Sequence, residues 1–263
     1  MLPYRPTPLI AAACLALVLS ACQAPQPTPS ASSDASATAA ATSEPTATPK
    51  PVSLPRPTDI PADGSCEQGH ICLGLLTAGT VYTTSAFQPA ITFSVPEAGW
   101  ENRADEGGIF FLLRIAYPGD SIAFFRNPIA SGVGASSVGT SIEELAAWAA
   151  ANPLLDASPP TPVTIGGLQG LTMDMRVATG AENQDPGCPV QVCVPFLRGK
   201  DETTPSQPQW KWDWGFAGLE TQRLYLLTSS RGVLAIFVDS YDGTSFDALT
   251  TAASAILATV TFE

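Results

Sequence analysis

Four cysteines in the later part of the chain are the first candidates for chemistry, because thiols either bind metals or oxidise to disulfides. They are Cys66, Cys72, Cys188 and Cys193. Four cysteines in an exported domain predict two disulfides, for which three connectivities are possible. The simplest arrangement joins each cysteine to its near neighbour in the sequence, which closes two short loops in polar regions. Pairing between the two regions is the main alternative.

The only histidine, His70, lies between Cys66 and Cys72 in the sequence CEQGHIC. Two thiolates and one imidazole would supply three of the four ligands of a zinc site. Their spacing is not that of a standard zinc pair and export favours oxidation, so we predict no metal and no cofactor. The scarcity of histidine also argues against a Ser or Cys nucleophile, which usually needs an imidazole base. A Gly-x-Ser-x-Gly element is absent from the sequence.

Paired carboxylates can hydrolyse glycosidic bonds without histidine, one acting as acid and the other as base or nucleophile. The candidates are Asp105, Glu106, Asp174, Asp239 and Asp242. An acidic surface supplies such residues by default, so an exported carbohydrate-active hydrolase is the alternative function rather than the first. The sequence DSYDG at 239–243 partly resembles a calcium loop, but it lacks the alternating oxygen ligands and the distal Glu. We predict a strand-to-helix turn there.

Three tryptophans alternate in the sequence QPQWKWDWGFAG, at Trp210, Trp212 and Trp214. Alternation predicts a strand, which would place all three indoles on one face. Lys211 and Asp213 fall on the other face, so we predict that the indoles mainly pack into the core. The alternative is a partly exposed aromatic platform that binds sugar rings or a protein partner. Residues 178–208, predicted to be a long loop, would then form one wall of a groove.

The charge of the protein excludes one class of partner. The 263 residues include 12 Lys and Arg against 24 Asp and Glu, for a formal net charge of −12. Phosphate backbones require clustered positive charge, so nucleic-acid binding is not expected. The same acidity disfavours electrostatic docking on anionic lipid, so any membrane attachment must have another origin.

The N-terminus supplies such an attachment. Arg5 precedes an apolar run over residues 9–19, which is too short to span a bilayer. The sequence LSAC that follows, ending at Cys22, resembles the bacterial lipobox. That resemblance implies a signal peptide over 1–21, a diacylglycerol on the thiol of Cys22, and cleavage just before it. Acyl chains on Cys22 would anchor the protein to the cell membrane, facing outside the cytoplasm.

The composition after Cys22 is that of a tether. Residues 23–60 contain eight prolines and no aromatic residue, and are rich in Ala, Ser and Thr. Such a segment cannot bury enough apolar surface to fold. We therefore predict a tether over 22–60 and a single folded domain over 61–263.

Within the folded part, strands occur in runs, with one helix in the middle and another at the end. The predicted strands cover 81–86, 91–95, 109–115, 121–126, 163–165, 168–177, 210–214, 223–228 and 233–240, with a short edge strand at 261–263. Ser141 and Glu144 form a capping-box pattern that begins a helix ending at Asn152, and Gly166-Gly167 predicts a two-residue hairpin. A second helix is predicted to open at Thr244. This order predicts an α+β domain in which two helices flank a mostly antiparallel sheet.

Three stretches carry a resemblance to known proteins. They are LTAGTVYTTSAFQPAITFSVPEAGW, SIEELAAWAAANPLLDASPPTPVTIGGLQGL and RLYLLTSSRGVLAIFVDS. Together they resemble a group of uncharacterised bacterial surface lipoproteins, and the order of elements over about 73–263 is similar to the PsbP-like fold. The resemblance implies a fold but transfers no catalytic residue. We therefore expect a surface lipoprotein with a non-catalytic domain that binds an unknown protein or carbohydrate ligand.

Overall fold

The strands assemble into one large antiparallel sheet and two small ones. The structure is a computed structural model that describes residues 52–53, 74–117, 119–199 and 213–263. The strands are β1 (Val52–Ser53), β2 (Gly74–Leu75), β3 (Val81–Thr83), β4 (Ile91–Ser94), β5 (Trp100–Asp105), β6 (Ile109–Arg114), β7 (Ser121–Arg126), β8 (Pro128–Ala130), β9 (Leu155–Ala157), β10 (Thr161–Ile165), β11 (Leu168–Val177), β12 (Cys193–Gly199), β13 (Asp213–Ala217), β14 (Thr221–Ser229), β15 (Gly232–Ser240) and β16 (Thr261–Phe262). The helices are α1 (Ile142–Ala151) and α2 (Phe246–Leu257).

The main sheet has nine strands in the order β10-β11-β14-β15-β7-β6-β5-β2, with β9 paired to β11. Every pairing in it is antiparallel. A four-stranded sheet has the order β1-β3-β4-β16, and a three-stranded sheet has the order β13-β12-β8. The predicted α+β class, with a mostly antiparallel sheet and two main helices, is confirmed.

Both faces of the main sheet are buried. On β15, Leu234 and Ile236 belong to the apolar cluster that contains α2, whereas Ala235 and Phe237 belong to the cluster that contains α1. The α1 cluster also includes residues of β12 and β13. A strand buried on both faces reads as a continuous apolar run, which is why the sequence GVLAIFVDS shows no alternation. The main sheet is the middle of three layers.

Local signals fixed the start of α1 and the hairpin between β10 and β11. The Ser141 hydroxyl accepts a hydrogen bond from the Glu144 amide at 3.2 Å, and the Glu144 carboxylate accepts from the Ser141 amide at 3.3 Å. The predicted capping box is therefore present. Gly166 and Gly167 have φ of 55° and 83°, as a two-residue turn with two left-handed residues requires. The hairpin is confirmed.

The prediction that residues 178–208 form one long loop is wrong, because β12 lies within them. Val194 and Phe196 are fully buried, and β12 pairs with both β13 and β8. Pro195 obscured the strand in the sequence. The pairing of β12 with β13 shifts register between Pro195 and Leu197, and a bulge of this kind is where a strand tolerates proline.

Two other boundaries differ from the predictions. Trp100 lies outside the strands that the sequence predicts, but it begins β5 and is fully buried. The second helix is preceded by Ser245 rather than Thr244. Thr244 instead donates both its amide and its hydroxyl to Asp242, at 2.9 and 2.8 Å, so it completes the turn before the helix.

Candidate functional site

A disulfide shapes the loop that precedes β12. Cys188 and Cys193 are joined, with an S–S distance of 2.03 Å, which is one of the two local pairs that the sequence favours. The Asn183 side chain accepts a hydrogen bond from the Cys193 amide at 2.9 Å, and the Gln184 amide donates to the Cys193 carbonyl at 3.0 Å. The loop is therefore tied to the first residue of β12.

This loop forms one wall of a groove of approximately 650 Å³ at the end of the main sheet. We call it the groove, and its lining is 177–181, 190–192, 217–219, Tyr241 and Asp242. Leu219 is 78% exposed and Tyr241 is 49% exposed, and both are among the most exposed large apolar side chains in the part of the chain that the structure describes. The size and apolar lining are those of a ligand site.

Close backbone contacts hold the groove walls in place. The Gly218 amide donates to the Val192 carbonyl at 2.8 Å, which joins the turn between β13 and β14 to the disulfide loop. Gly243 has φ of 73°, and a Cβ there would come within 2.9 Å of the Leu219 carbonyl. A Cβ on Gly119 would lie 2.4 Å from the Tyr241 Cβ, so Tyr241 packs directly on glycine backbone. Leu219 and Tyr241 are exposed on a rigid support.

A smaller cleft of approximately 390 Å³ lies beside the same turn and is lined in part by Trp214, Glu220 and Cys193. The half-buried indole of Trp214 lies 5.1 Å from the Phe125 ring and 5.5 Å from the Phe237 ring, between centroids. Its Nε1 donates to the Gln222 side-chain oxygen at 3.2 Å. Trp214 therefore contributes to the core packing while one side of it borders the cleft.

Two buried carboxyl groups lie next to this indole. The Glu220 carboxylate accepts from the Ala217 amide at 2.7 Å and from the Gln222 side-chain nitrogen at 3.3 Å, and burial raises the pKa of Glu220 to about 7. Asp239 is the cross-strand partner of Gln222. Burial, followed by the neighbouring Glu220 and Asp120, raises the pKa of Asp239 well above its ordinary value. Both carboxyl groups resist ionisation, Glu220 because of burial and Asp239 because of burial and two neighbouring acids.

The other candidate carboxylates have structural partners. The Asp105 carboxylate accepts from the Ala86 and Phe87 amides at 3.1 and 2.9 Å, and Glu106 lies in the turn between β5 and β6. Asp174 pairs with Arg223 at 2.6 Å. The hydrogen bonds from Thr244 lower the pKa of Asp242, which therefore acts as a turn acceptor. Of the predicted carboxylates, Asp239 lies beside the buried Glu220 and Asp120. Asp242 is also close enough to Asp120 to raise the pKa of Asp120.

Sequence reasoning missed Glu220, Leu219 and Tyr241. Leu219 and Glu220 belong to a turn whose neighbours across the groove are distant in the sequence. Tyr241 lies within the DSYDG stretch and packs against Gly119, which is distant in the sequence. The one signal that the sequence offered for this site was an apolar residue, Leu219, in a glycine-containing turn.

Several predictions lie outside the described residues. They concern the signal peptide over 1–21, the tether over 22–60 apart from Val52 and Ser53, and Cys22, Cys66, His70, Cys72, Trp210 and Trp212. Val52 and Ser53 form β1, which pairs with β3. Among the residues that the structure does describe, no three His, Cys, Asp or Glu side chains converge as metal ligands would. In that same part of the chain, neither helix combines the length and apolar character needed to cross a bilayer.

Comparison with known proteins gives no family. No protein-family model matches the chain, and no curated protein sequence is similar to it. A crystal structure from Bacteroides thetaiotaomicron VPI-5482, at 1.50 Å resolution, aligns with 12% sequence identity and a TM-score of 0.34. The alignment covers 66% of this chain and 45% of the other, so this chain spans less than half of its neighbour. A likeness this low carries no argument about fold or function.

Proposed function

We propose that the protein is a membrane-anchored, surface-exposed bacterial lipoprotein with a non-catalytic, PsbP-like binding domain. The anchor is supported by the sequence LSAC before Cys22 and by the proline-rich segment after it. The observation that carries the binding function is the groove, in which Leu219 and Tyr241 are exposed on rigid turns. Its occupant is a ligand or protein partner that presents an apolar group.

The rigidity of the groove favours binding. The disulfide between Cys188 and Cys193 and the hydrogen bond from Gly218 to Val192 fix both walls before any ligand arrives. A preformed site loses less conformational entropy on binding than a mobile one, so more of the contact energy appears as affinity. Leu219 is 78% exposed although it is apolar. An apolar side chain of this kind marks an interaction site when it lies in a concave surface.

The groove is tested with Nile red, a neutral dye whose fluorescence rises in apolar surroundings and which the negative charge of the protein does not repel. We expect the Leu219→Ser and Tyr241→Ser variants of the mature chain to bind the dye roughly fivefold more weakly, since each loses about 1 kcal/mol of apolar contact. Leu75→Ser is the matched control, because Leu75 is also largely exposed but lies on β2. Equal losses in all three variants would count against the groove.

The anchor is tested by growth with a labelled fatty acid. We expect the parent protein to carry the label and to remain in the membrane fraction, whereas a Cys22→Ser variant should be unlabelled and released. Cys14→Ser is the control, because Cys14 lies inside the apolar run and should not be the acylated residue. Equal labelling of the parent and Cys22→Ser would overturn the proposal.

The alternative, an exported carbohydrate-active hydrolase, is favoured by one observation. Glu220 has a pKa of about 7, which suits a general acid, and Asp239 is a second acid next to it. Against this, the Glu220 carboxylate is occupied by the Ala217 amide, and Asp239 is buried. Chromogenic glycosides decide between the two functions. Hydrolysis by the parent that disappears in Glu220→Gln would support the enzyme.

A further inference from the structure

A third pocket, of approximately 530 Å³, lies on the α2 side of the main sheet and combines polar with apolar surface. We call it the ion-pair pocket, because its lining includes Asp174, Arg223, Tyr225, Ser158 and Thr172. It shares no lining residue with the groove or with the cleft. Its chemistry is therefore separate from the proposed groove function.

A planar, two-point ion pair dominates this pocket. Asp174 and Arg223 are direct cross-strand partners on β11 and β14. Arg223 Nε donates to Asp174 Oδ1 at 2.6 Å, and Nη2 donates to Oδ2 at 2.9 Å. The Arg223 guanidinium also lies 5.7 Å from the centre of the Phe246 ring of α2. These contacts hold both groups in one orientation, while the side chains of Asp174 and Arg223 remain 38% and 29% exposed.

The ion-pair pocket offers a ligand both hydrogen-bond donors and hydrogen-bond acceptors. The Thr172 hydroxyl donates to the Leu224 carbonyl at 2.9 Å, so its lone pairs remain to accept. The Ser158 hydroxyl accepts from the Asp174 amide at 2.9 Å, so its proton remains to donate. Each carboxylate oxygen of Asp174 accepts one bond from Arg223 and has a further lone pair. Burial raises the pKa of Tyr225, so its hydroxyl stays protonated.

Donors and acceptors placed side by side match a hydroxyl group, which donates and accepts at the same time. The charges of Asp174 and Arg223 cancel, so the pocket attracts neither an anion nor a cation strongly. Val163 and Pro159 provide apolar surface beside the polar groups, against which C–H groups can pack. We propose that the ion-pair pocket binds a neutral polyhydroxylated ligand, of the class of sugars and sugar alcohols.

The test is calorimetric titration of the mature chain with glucose, galactose, mannose and N-acetylglucosamine, alongside glucuronate and glucosamine as charged counterparts. We expect at least one neutral sugar to bind with a Kd on the order of 1 mM, typical of a small polar ligand in an open site. Asp174→Asn should weaken that binding by about tenfold, since it removes a charged acceptor. Ser158→Ala should weaken it by roughly threefold.

Asp156→Asn is the matched control. Asp156 of β9 forms an ion pair with Arg176, its cross-strand partner on β11, and it does not line the pocket. Ser158→Ala leaves the ion pair intact, so it tests the pocket even if Asp174→Asn folds poorly.

Loss of sugar binding in the two pocket variants, with Asp156→Asn unchanged, supports the proposal. Three outcomes overturn it: no neutral sugar binds at about 20 mM, a charged sugar binds more tightly, or all the variants bind alike. A negative result in the Nile red experiment would not change the result of the sugar titration, because the groove and the ion-pair pocket are separate sites.

Discussion

Gln222 and Arg223 are neighbours on β14, yet their side chains point to opposite faces of the main sheet and meet opposite surroundings. On one face Gln222 lies between Trp214, Glu220 and Asp239, and two acids are buried there. On the other face Arg223 and Asp174 neutralise each other beside an open pocket. The first arrangement should make the free energy of unfolding depend on pH. In the second, the ion pair should contribute only a little to the free energy of unfolding.

The largest expected loss of stability comes from removing the indole of Trp214, which lies next to the buried acids. Trp214→Ala removes ring contacts with Phe111, Phe125 and Phe237, and it leaves the Gln222 side-chain oxygen without its donor. We expect the free energy of unfolding to fall by about 3 kcal/mol, the lower end for a core tryptophan because Trp214 is half-buried. Chemical denaturation measures this. Asp213→Ala on the exposed side of β13 is the control, and equal stability of the two variants would contradict the packing role.

The second effect is a dependence of stability on pH. Folding raises the pKa of Glu220 from 4.5 to about 7, so the folded protein holds this proton more tightly than the unfolded chain does. The free energy of unfolding therefore falls as pH rises from about 4.5 to about 7, by roughly 3 kcal/mol from this group. Asp239 acts in the same direction, because its pKa is also raised.

Glu220→Gln isolates that dependence, since the amide oxygen can still accept from the Ala217 amide. We expect the variant to match its parent near pH 4 and to exceed its stability at pH 8. Glu182→Gln, at an exposed loop position, is the control for the loss of one negative charge. If the stability difference between Glu220→Gln and its parent is the same at both pH values, Glu220 does not take up a proton on folding.

Local signals in the sequence predicted the start of α1 and the hairpin between β10 and β11, whereas contacts between distant residues form the sites. Ser141 with Glu144, and Gly166 with Gly167, lie within a few residues of each other, so their structures follow from short-range geometry. β12 could not be predicted in this way. Its partners β8 and β13 are remote in the sequence, and Pro195 has the appearance of a loop residue until the bulge is known.

The acid pair illustrates the same limit. Asp239 was a candidate carboxylate, but its neighbour Glu220 lies in the turn just before β14 and comes close only through the register that pairs Gln222 with Asp239. Arg223 and Asp174 likewise meet through a cross-strand pair between β14 and β11. Composition and periodicity predict that these strands exist, but a shift of one residue in register would exchange the two faces.

A smaller effect is expected from the disulfide that supports the groove. Replacing Cys188 and Cys193 together with serine opens a short loop, and we expect stability to fall by about 2 kcal/mol on the loop-entropy relation. Nile red binding in the groove should weaken as well, because one wall loses its constraint. A Cys188→Ser, Cys193→Ser variant that binds the dye like its parent would show that the Asn183 and Gln184 hydrogen bonds suffice to hold the loop.

The smallest effect separates two ion pairs that lie along β11. Asp174 and Arg223 are about one third exposed and make two short hydrogen bonds, whereas Arg176 and Asp156 are 66% and 58% exposed. Solvent screens both pairs, so we expect coupling energies of about 1 kcal/mol for the first and about 0.3 kcal/mol for the second. Double-mutant cycles with Asp→Asn and Arg→Gln replacements, followed by chemical denaturation, measure these energies. In 1 M salt the Arg176 coupling should vanish while part of the Arg223 coupling remains, because bidentate geometry and the Phe246 ring keep that pair ordered. Equal coupling energies at low salt would mean that Asp174 and Arg223 are as well hydrated as Asp156 and Arg176. The contrast between the two faces of β14 would then depend on the buried acids alone.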